Sequence, residues 1–404
     1  MLKNPDFLTA RAILLEQVKE MATETVSLET SFSRILAEDI LATENVPPFD
    51  RSPYDGYALR SKDSEGASKD VPVTLRVIEK VPAGKVPTMP CGVGEATNVM
   101  TGAPIPCGAD TVIMFEKTAF TEREVTLFAP LKPSENIVFS GEDVKKGALL
   151  VHAGTKIDAG VAGTLAAQGI AEPTVYRMPK VGMISTGNEI TELSAPLEAG
   201  KIYDSNRYML AAAIKEIGCD PLYLGLAEDS AEGICALIKK GLAHCDALIT
   251  TGGVSVGDYD LVPKAMELAQ IALLFRGADI KPGMACAYGE KDGKIICGLS
   301  GNPASSLTNF WAIAAPALKK LAGRADAVPE EMSLVIKNGF KKKSPGTRLL
   351  RGRLVFSDGL AVLDTSKDQG NVILSSTIGC DAMAVVPAGS GPIAEGTTLR
   401  GFRL

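Results

Sequence analysis

Histidine is nearly missing from this chain: His152 and His244 are the only two in 404 residues. A histidine-rich zinc centre or a Ser-His-Asp triad therefore has little material. His244 borders a strand-like run and reads as structural. Paired cysteines are missing too. The eight cysteines, at 91, 107, 219, 235, 245, 286, 297 and 380, form no Cys-x-x-Cys motif. That pattern suits reduced, mostly buried thiols in a cytoplasmic protein and argues against a disulfide framework. No run of 18 apolar residues occurs, so no membrane span is expected. Charges in the opening stretch MLKNPDFLTARAILLEQVKE break any signal-peptide core. A net charge of −6 gives no general nucleic-acid signature. Any chemistry must rest on carboxylates, backbone amides, lysine and arginine.

What the chain has instead is a set of glycine-bearing loops, each following a short apolar run. Residues 246–260 read DALITTGGVSVGDYD. The run at 247–251 fits a buried strand. Gly252, Gly253 and Gly257 let backbone N–H groups approach an anion closely, with Ser255 between them. Asp258 and Asp260 follow at once, and carboxylates beside an anion cradle suit a phosphate held with Mg²⁺. A tight strand-to-helix turn is the plainer alternative. A second run, 295–297, leads through Gly298 to Gly301-Asn302-Pro303 and an apolar helical stretch at 304–321. A third, 181–185, ends in Thr186-Gly187-Asn188-Glu189. In an open α/β sheet, ligands bind outside the carboxyl ends of the strands, where all three loops would lie.

Apolar residues at helical spacing mark residues 8–21, and a similar stripe covers 28–41. Residues 46–141 are rich in proline and glycine, with β-type runs at 71–81, 111–116 and 124–128. Residues 147–169 suggest a hairpin and a helix. From 180 to 321 strands alternate with helices, at 181–185, 221–226, 247–251 and 295–298. This predicts a three-layer, mostly parallel sheet. Ser205 fits the N-cap of a helix over 207–217, and Asp229 with Glu232 fits a capping box for the next one. Short strands after 326 predict a small barrel or sandwich. The expected domains are therefore 1–45 with 142–179 (helical and discontinuous), an inserted β domain at 46–141, an α/β/α domain at 180–326 and a β barrel at 327–404.

The motifs Asp55-Gly56-Tyr57-Ala58, Thr101-Gly102, Gly141-Glu142-Asp143, Thr186-Gly187-Asn188-Glu189, Asp204-Ser205-Asn206, Thr250–Asp260, Lys281-Pro282-Gly283 and Gly301-Asn302-Pro303 occur in this order along nearly the full length. Together they resemble the molybdopterin molybdenumtransferase family, the bacterial MoeA type, whose animal relative is the E domain of gephyrin. The sheet domain also resembles molybdopterin adenylyltransferases. The resemblance implies an elongated homodimer of four-domain subunits with its active site in an inter-subunit cleft. It implies insertion of molybdate into adenylylated molybdopterin, with Mg²⁺-dependent cleavage of the adenylate and release of AMP. A molybdopterin adenylyltransferase and acceptor molybdoenzymes are the implied partners. A divergent paralogue that binds a nucleotide-pterin ligand or scaffolds cofactor assembly, or an enzyme using tungstate, stays open as the alternative.

Carried over residue by residue, the family's acidic positions fall on Asp55, Asp143, Glu189, Asp229 and Asp258. Glu189 and Asp258 are the implied Mg²⁺ ligands. Asp55 could equally make an Asx turn, and Asp229 a helix cap. Thr101 matches the inter-subunit cleft and Lys281 the lysine near the metalate, where a point charge suits a tetrahedral oxyanion. Ser205, Gly252, Gly253, Ser255, Gly301, Asn302 and Pro303 are the implied substrate contacts, and Arg351 and Ser375 loosely match positions facing the metalate. Lys341-Lys342-Lys343 reads as a solvated hairpin. Arg351 and Arg353 share one strand face by parity, opposite Arg348. The chain departs from the family pattern at Tyr54, at Met284-Ala285 where the family has Lys-Pro, at Ser300 and at Asp381. Met284 and Asp381 make the expected oxyanion pocket less positive.

Overall fold

The computed structural model describes residues 2–254, 261–357, 359–365 and 367–404. The chain separates into two compact units, one of Met1–Glu38, Ala153–Ala159 and Glu172–Leu404, the other of Asp39–His152 and Gly160–Ala171.

The larger unit is organised around a seven-stranded sheet. Four of its strands, Lys294–Leu299, Ala247–Thr251, Lys180–Thr186 and, at one edge, Asp220–Ala227, pair in parallel. They coincide with the expected runs to within a residue or two at each end. Alternation along each strand sends side chains to opposite layers. Met183, Ile249 and Cys297 join Leu210, Ile214, Phe310 and Leu318 on one face. Ile184, Leu248 and Ile296 join Ile234, Ile238, Val262 and Met266 on the other. Beyond Lys294–Leu299 lie Cys286–Lys291 and Ala272–Arg276, both joined antiparallel, and then Leu2–Lys3. The result is the expected three-layer sheet.

Two helix caps differ from the sequence reading. The helix Ser205–Glu216 is capped by Asp204, whose carboxylate accepts from Arg207 N at 3.0 Å, so Ser205 is its first residue. The helix Ala231–His244 is capped by Ser230, whose hydroxyl accepts from Gly233 N at 3.0 Å. In both places a short side chain one residue away has the reach that the cap requires. The stripe at 28–41 is not a helix either: it forms a 3₁₀ turn, Leu28–Thr30, and a strand, Ile40–Leu41. The first helix runs Phe7–Glu16, shorter than its apolar stripe. The stretch after Pro303 is helical but divided: Pro303–Asn309, a π segment Phe310–Ala314, and Ala315–Leu321.

The C-terminal strands Glu331–Ile336, Leu360–Asp364, Arg348–Ser357, Ala382–Val386 and Thr398–Arg403 close into a barrel around Leu334, Ile336, Leu350, Leu363 and Val386. The smaller unit holds a six-stranded sheet packed on Tyr57, Leu59, Leu75, Val125 and Leu127. There the strand Leu149–Val151 pairs with Ile40–Leu41.

Candidate functional site

In the smaller unit, Asp55 immediately precedes the strand Gly56–Leu59. A Cβ at position 56 would lie 2.0 Å from Ile113 O, so the edge of this strand tolerates only glycine. That constraint fixes where Asp55 leaves the sheet. Its Oδ1 accepts from Thr101 N at 2.6 Å and Thr101 Oγ1 at 2.8 Å. The backbone N–H and then the hydroxyl of Thr101 hold the Asp55 carboxyl below the usual carboxylate range. The structure thus brings Asp55 and Thr101 together on an exposed surface. Asp143 is exposed, and its backbone N–H donates to Val46 O at 3.0 Å.

In the larger unit, the carboxyl end of the sheet gathers the second group. Gly252 and Gly253 have φ of 89° and 64°, and a Cβ on Gly252 would stand 2.5 Å from Thr186 Oγ1. Asn206 donates Nδ2 to Gly301 O at 2.8 Å, tying the Asp204-Ser205-Asn206 turn to the Gly301-Asn302-Pro303 loop. Asn206 Oδ1, Thr250 Oγ1 and Ser306 Oγ are buried without a hydrogen-bond partner among the described residues. Unpaired buried polar atoms are costly unless a ligand or water meets them. Glu189 is exposed; its carboxylate folds back so far that a Cβ on Gly187 would come within 2.5 Å of Oε2. Asp229, relieved of capping by Ser230, accepts from Asn188 Nδ2 at 3.4 Å. Ser255 and Asp258 lie outside the described residues.

Lys281 is held by the barrel. Its N–H donates to Thr347 O at 2.9 Å and its carbonyl accepts from Leu349 N at 3.0 Å. A cleft of about 640 Å³ opens here, with Lys281, Met284, Ser300, Asn302, Lys342 and Arg348 among its lining residues. The sequence departures Met284 and Ser300 therefore do fall on the pocket. Ser300 takes a local role, its hydroxyl accepting from Asn302 N at 3.2 Å. The Lys281 loop is pinned from below: Asn309 Nδ2 donates to Gly283 O at 2.7 Å, and Asn309 Oδ1 accepts from the Tyr288 hydroxyl. Asn309 and Tyr288 are fully buried. Sequence reasoning missed both, because each sits in an apolar run and shows no polar pattern.

Arg351 is only 1% exposed, although it and the exposed Arg353 share strand parity. Burial pushes its guanidinium pKa down. Nη2 donates to Gly370 O and to Ser376 Oγ, both at 3.1 Å, while Nε and Nη1 have no hydrogen-bond partner among the described residues. The serine at Arg351 is thus Ser376, which is buried; Ser375 is exposed. Arg348 is also buried, so the parity of the three arginines does not predict their exposure. Arg351 lines a second cavity of about 420 Å³ with Lys367 and Cys380. Asp381 is used structurally, accepting from Leu354 N at 2.6 Å. Core thiols are inert, burial pushing Cys219 and Cys286 up to about 12.

Comparison with known proteins identifies the family. Family models for the MoeA N-terminal region (domains I and II), a probable molybdopterin-binding domain and the MoeA C-terminal region (domain IV) match residues 6–169, 182–320 and 333–400. A molybdopterin molybdenumtransferase of Staphylococcus epidermidis is 36% identical over 378 residues, covering 93% of this chain and 90% of the relative. One from Staphylococcus aureus is 36% identical over 388 residues, covering 96% and 92%. Crystal structures of a molybdopterin biosynthesis MoeA protein from Pyrococcus horikoshii superpose with TM-scores of 0.82 and 0.84 at 33% and 32% identity. They cover 99% of this chain and 99% and 100% of theirs. With relatives this similar over nearly its whole length, the chain belongs to the molybdopterin molybdenumtransferase (MoeA) family.

Proposed function

We propose that this protein is the metal insertase of molybdenum cofactor biosynthesis, joining molybdate to the dithiolene of adenylylated molybdopterin. The adenylate phosphoanhydride is cleaved and AMP leaves. The observation that carries the reading is Arg351: a buried cation with two unpartnered guanidinium nitrogens, one loop away from the cleft that holds Lys281. A buried cation left partly paired is expensive; Asp368 acts on it only at a distance, and a tetrahedral oxyanion would meet its two open nitrogens directly. Lys281 adds a point charge from the neighbouring cleft, which Gly370, the acceptor of Arg351 Nη2, also lines.

The nucleotide end belongs at the carboxyl end of the sheet, where Gly253 offers a backbone amide and Asn206 and Thr250 offer unpaired polar atoms, while Gly252, whose N–H donates to Leu299 O at 3.0 Å, shapes the turn. The Glu189 carboxylate has oxygens suited to Mg²⁺ and accepts no hydrogen bond among the described residues, although its backbone carbonyl accepts from Ile202 N at 2.8 Å, so with Asp258 it would hold the ion. Bound there, Mg²⁺ would neutralise charge on the pyrophosphate. Asp229 would steer Asn188 beside it. Asp55, Thr101 and Asp143 occupy the other compact unit. We read the chain as four domains pairing into a homodimer, with these residues serving the partner's nucleotide site.

The test is AMP release from adenylylated molybdopterin, with and without molybdate. Release that depends on molybdate and Mg²⁺ supports the reading. Tight ligand binding with no AMP release would identify a non-catalytic paralogue. Greater stimulation by tungstate would reassign the metalate.

A further inference from the structure

The Lys341-Lys342-Lys343 run looks in sequence like a solvated hairpin, and all three residues are exposed. Lys342 nevertheless lines the Lys281 cleft. It does so from a short, clamped segment. On one side, Phe340 N donates to Ile393 O at 2.7 Å and Ile393 N to Phe340 O at 2.8 Å. On the other, Ser344 N donates to Ser390 O at 2.9 Å and Gly389 N to Ser344 O at 2.8 Å. Arg348 ties the clamps together: its guanidinium stands 4.6 Å over the Phe340 ring and its Nε donates to Ser344 Oγ at 3.2 Å. With both ends fixed, little backbone entropy remains to be lost when the Lys342 ammonium engages a ligand.

Charge in the cleft is lopsided. Among the described residues Lys281, Lys342 and Arg348 line it, against Asp279 as the one carboxylate. Among the described residues, none of the three cations forms an ion pair. Met284 lines the same cleft, 57% exposed, and brings no charge.

We propose that Lys342, carried by the barrel, is the second lysine of the oxyanion cleft and supplies the positive charge that position 284 lacks. The inference rests on the oxyanion reading above. Lysine on a flexible stem reaches a small dianion from a different backbone position, because a point charge demands distance but little angular precision. An exchange of this kind keeps the electrostatic sum of the cleft while moving its source from the sheet unit's loop to the barrel.

The experiment titrates the purified full-length protein with sodium molybdate alone, by calorimetry, at two ionic strengths. Lys342→Ala should weaken binding about tenfold, the scale expected of one exposed charge acting on a dianion, and should flatten the salt dependence. Lys342→Arg should retain most of the affinity. Met284→Lys should restore binding in the Lys342→Ala background and add much less in the wild type. Unchanged affinity in Lys342→Ala, or the same gain from Met284→Lys in both backgrounds, overturns the proposal. Lys342→Gln, which keeps the stem, replaces the alanine variant if its melting curve shows a damaged fold. Sulfate and phosphate titrations separate the two readings. Wild type that binds sulfate in preference, with the same dependence on Lys342, removes the metalate assignment and keeps Lys342. Wild type that binds none of these oxyanions overturns the Lys342 proposal itself.

Discussion

Asp55 and Arg351 solve the problem of a functional charge in opposite ways. Asp55 is exposed, yet its charge is met at once by two donors from Thr101. Arg351 is buried, yet two of its three guanidinium nitrogens face no acceptor. The first arrangement is complete by itself and holds a carboxylate ready in water. The second leaves Nε and Nη1 unpaired among the described residues, where an anion would complete it. Exposure alone would rank the two sites the other way round. Partner accounting makes Arg351 the stronger candidate for a ligand.

The largest expected effect follows from Arg351. Arg351→Met removes the buried cation but leaves Gly370 O and Ser376 Oγ short of a donor. These two consequences for the fold oppose each other, so the melting temperature without ligand should move little. Molybdate should raise the melting temperature of the wild type and not of the variant, with affinity falling about a hundredfold. A variant stabilised by molybdate as strongly as the wild type would make Arg351 a structural cation and erase the contrast with Asp55.

A smaller effect separates Ser230 from Asp229. Ser230 caps the helix Ala231–His244, so Ser230→Ala should cost about 1 kcal/mol in chemical denaturation. Asp229 makes one long contact, to Asn188, and Asp229→Ala should cost about 0.5 kcal/mol or less. Its deficit should appear in AMP release instead. If Asp229→Ala destabilises more than Ser230→Ala, the capping reading of Asp229 returns and its place in the site is lost.

Much of this was legible in sequence. Three of the parallel strands, Lys180–Thr186, Ala247–Thr251 and Lys294–Leu299, follow from apolar runs because strands buried on both faces leave a continuous signal; Asp220–Ala227, at the sheet edge, follows from its apolar run alone. The site loops followed from where such strands end. What stayed hidden has physical causes. Caps are decided by single-residue geometry, so Asp204 and Ser205, or Asp229 and Ser230, look interchangeable in a string of letters. Arginine parity failed because Arg348, Arg351 and Arg353 share a ten-residue strand, Arg348–Ser357, whose inner end is buried on both faces and whose outer end is not. The Tyr288–Asn309–Gly283 chain joins residues far apart in sequence and carries no local periodicity. Lys342 gave no signal at all, since its membership of the cleft depends on how the barrel docks beside Lys281.

The smallest effect probes the satisfied partner of the opening pair. Thr101→Val deletes the hydroxyl and keeps the backbone N–H, which is the stronger of the two influences on Asp55. The Asp55 carboxyl should therefore move up only part of the way toward the usual carboxylate range, read from its ¹³C titration. The sign for stability follows from linkage. A carboxyl whose folded pKa is depressed stabilises the fold fully above its unfolded pKa, and loses that contribution as pH falls through the lower folded value. Wild type should thus hold a slight advantage over Thr101→Val at neutral pH, and the two melting curves should converge in acid. Full exposure to solvent keeps the advantage small. Curves that stay equally separated down to the acid limit would show that the hydroxyl acts through packing, and that the charge of Asp55 does not depend on Thr101.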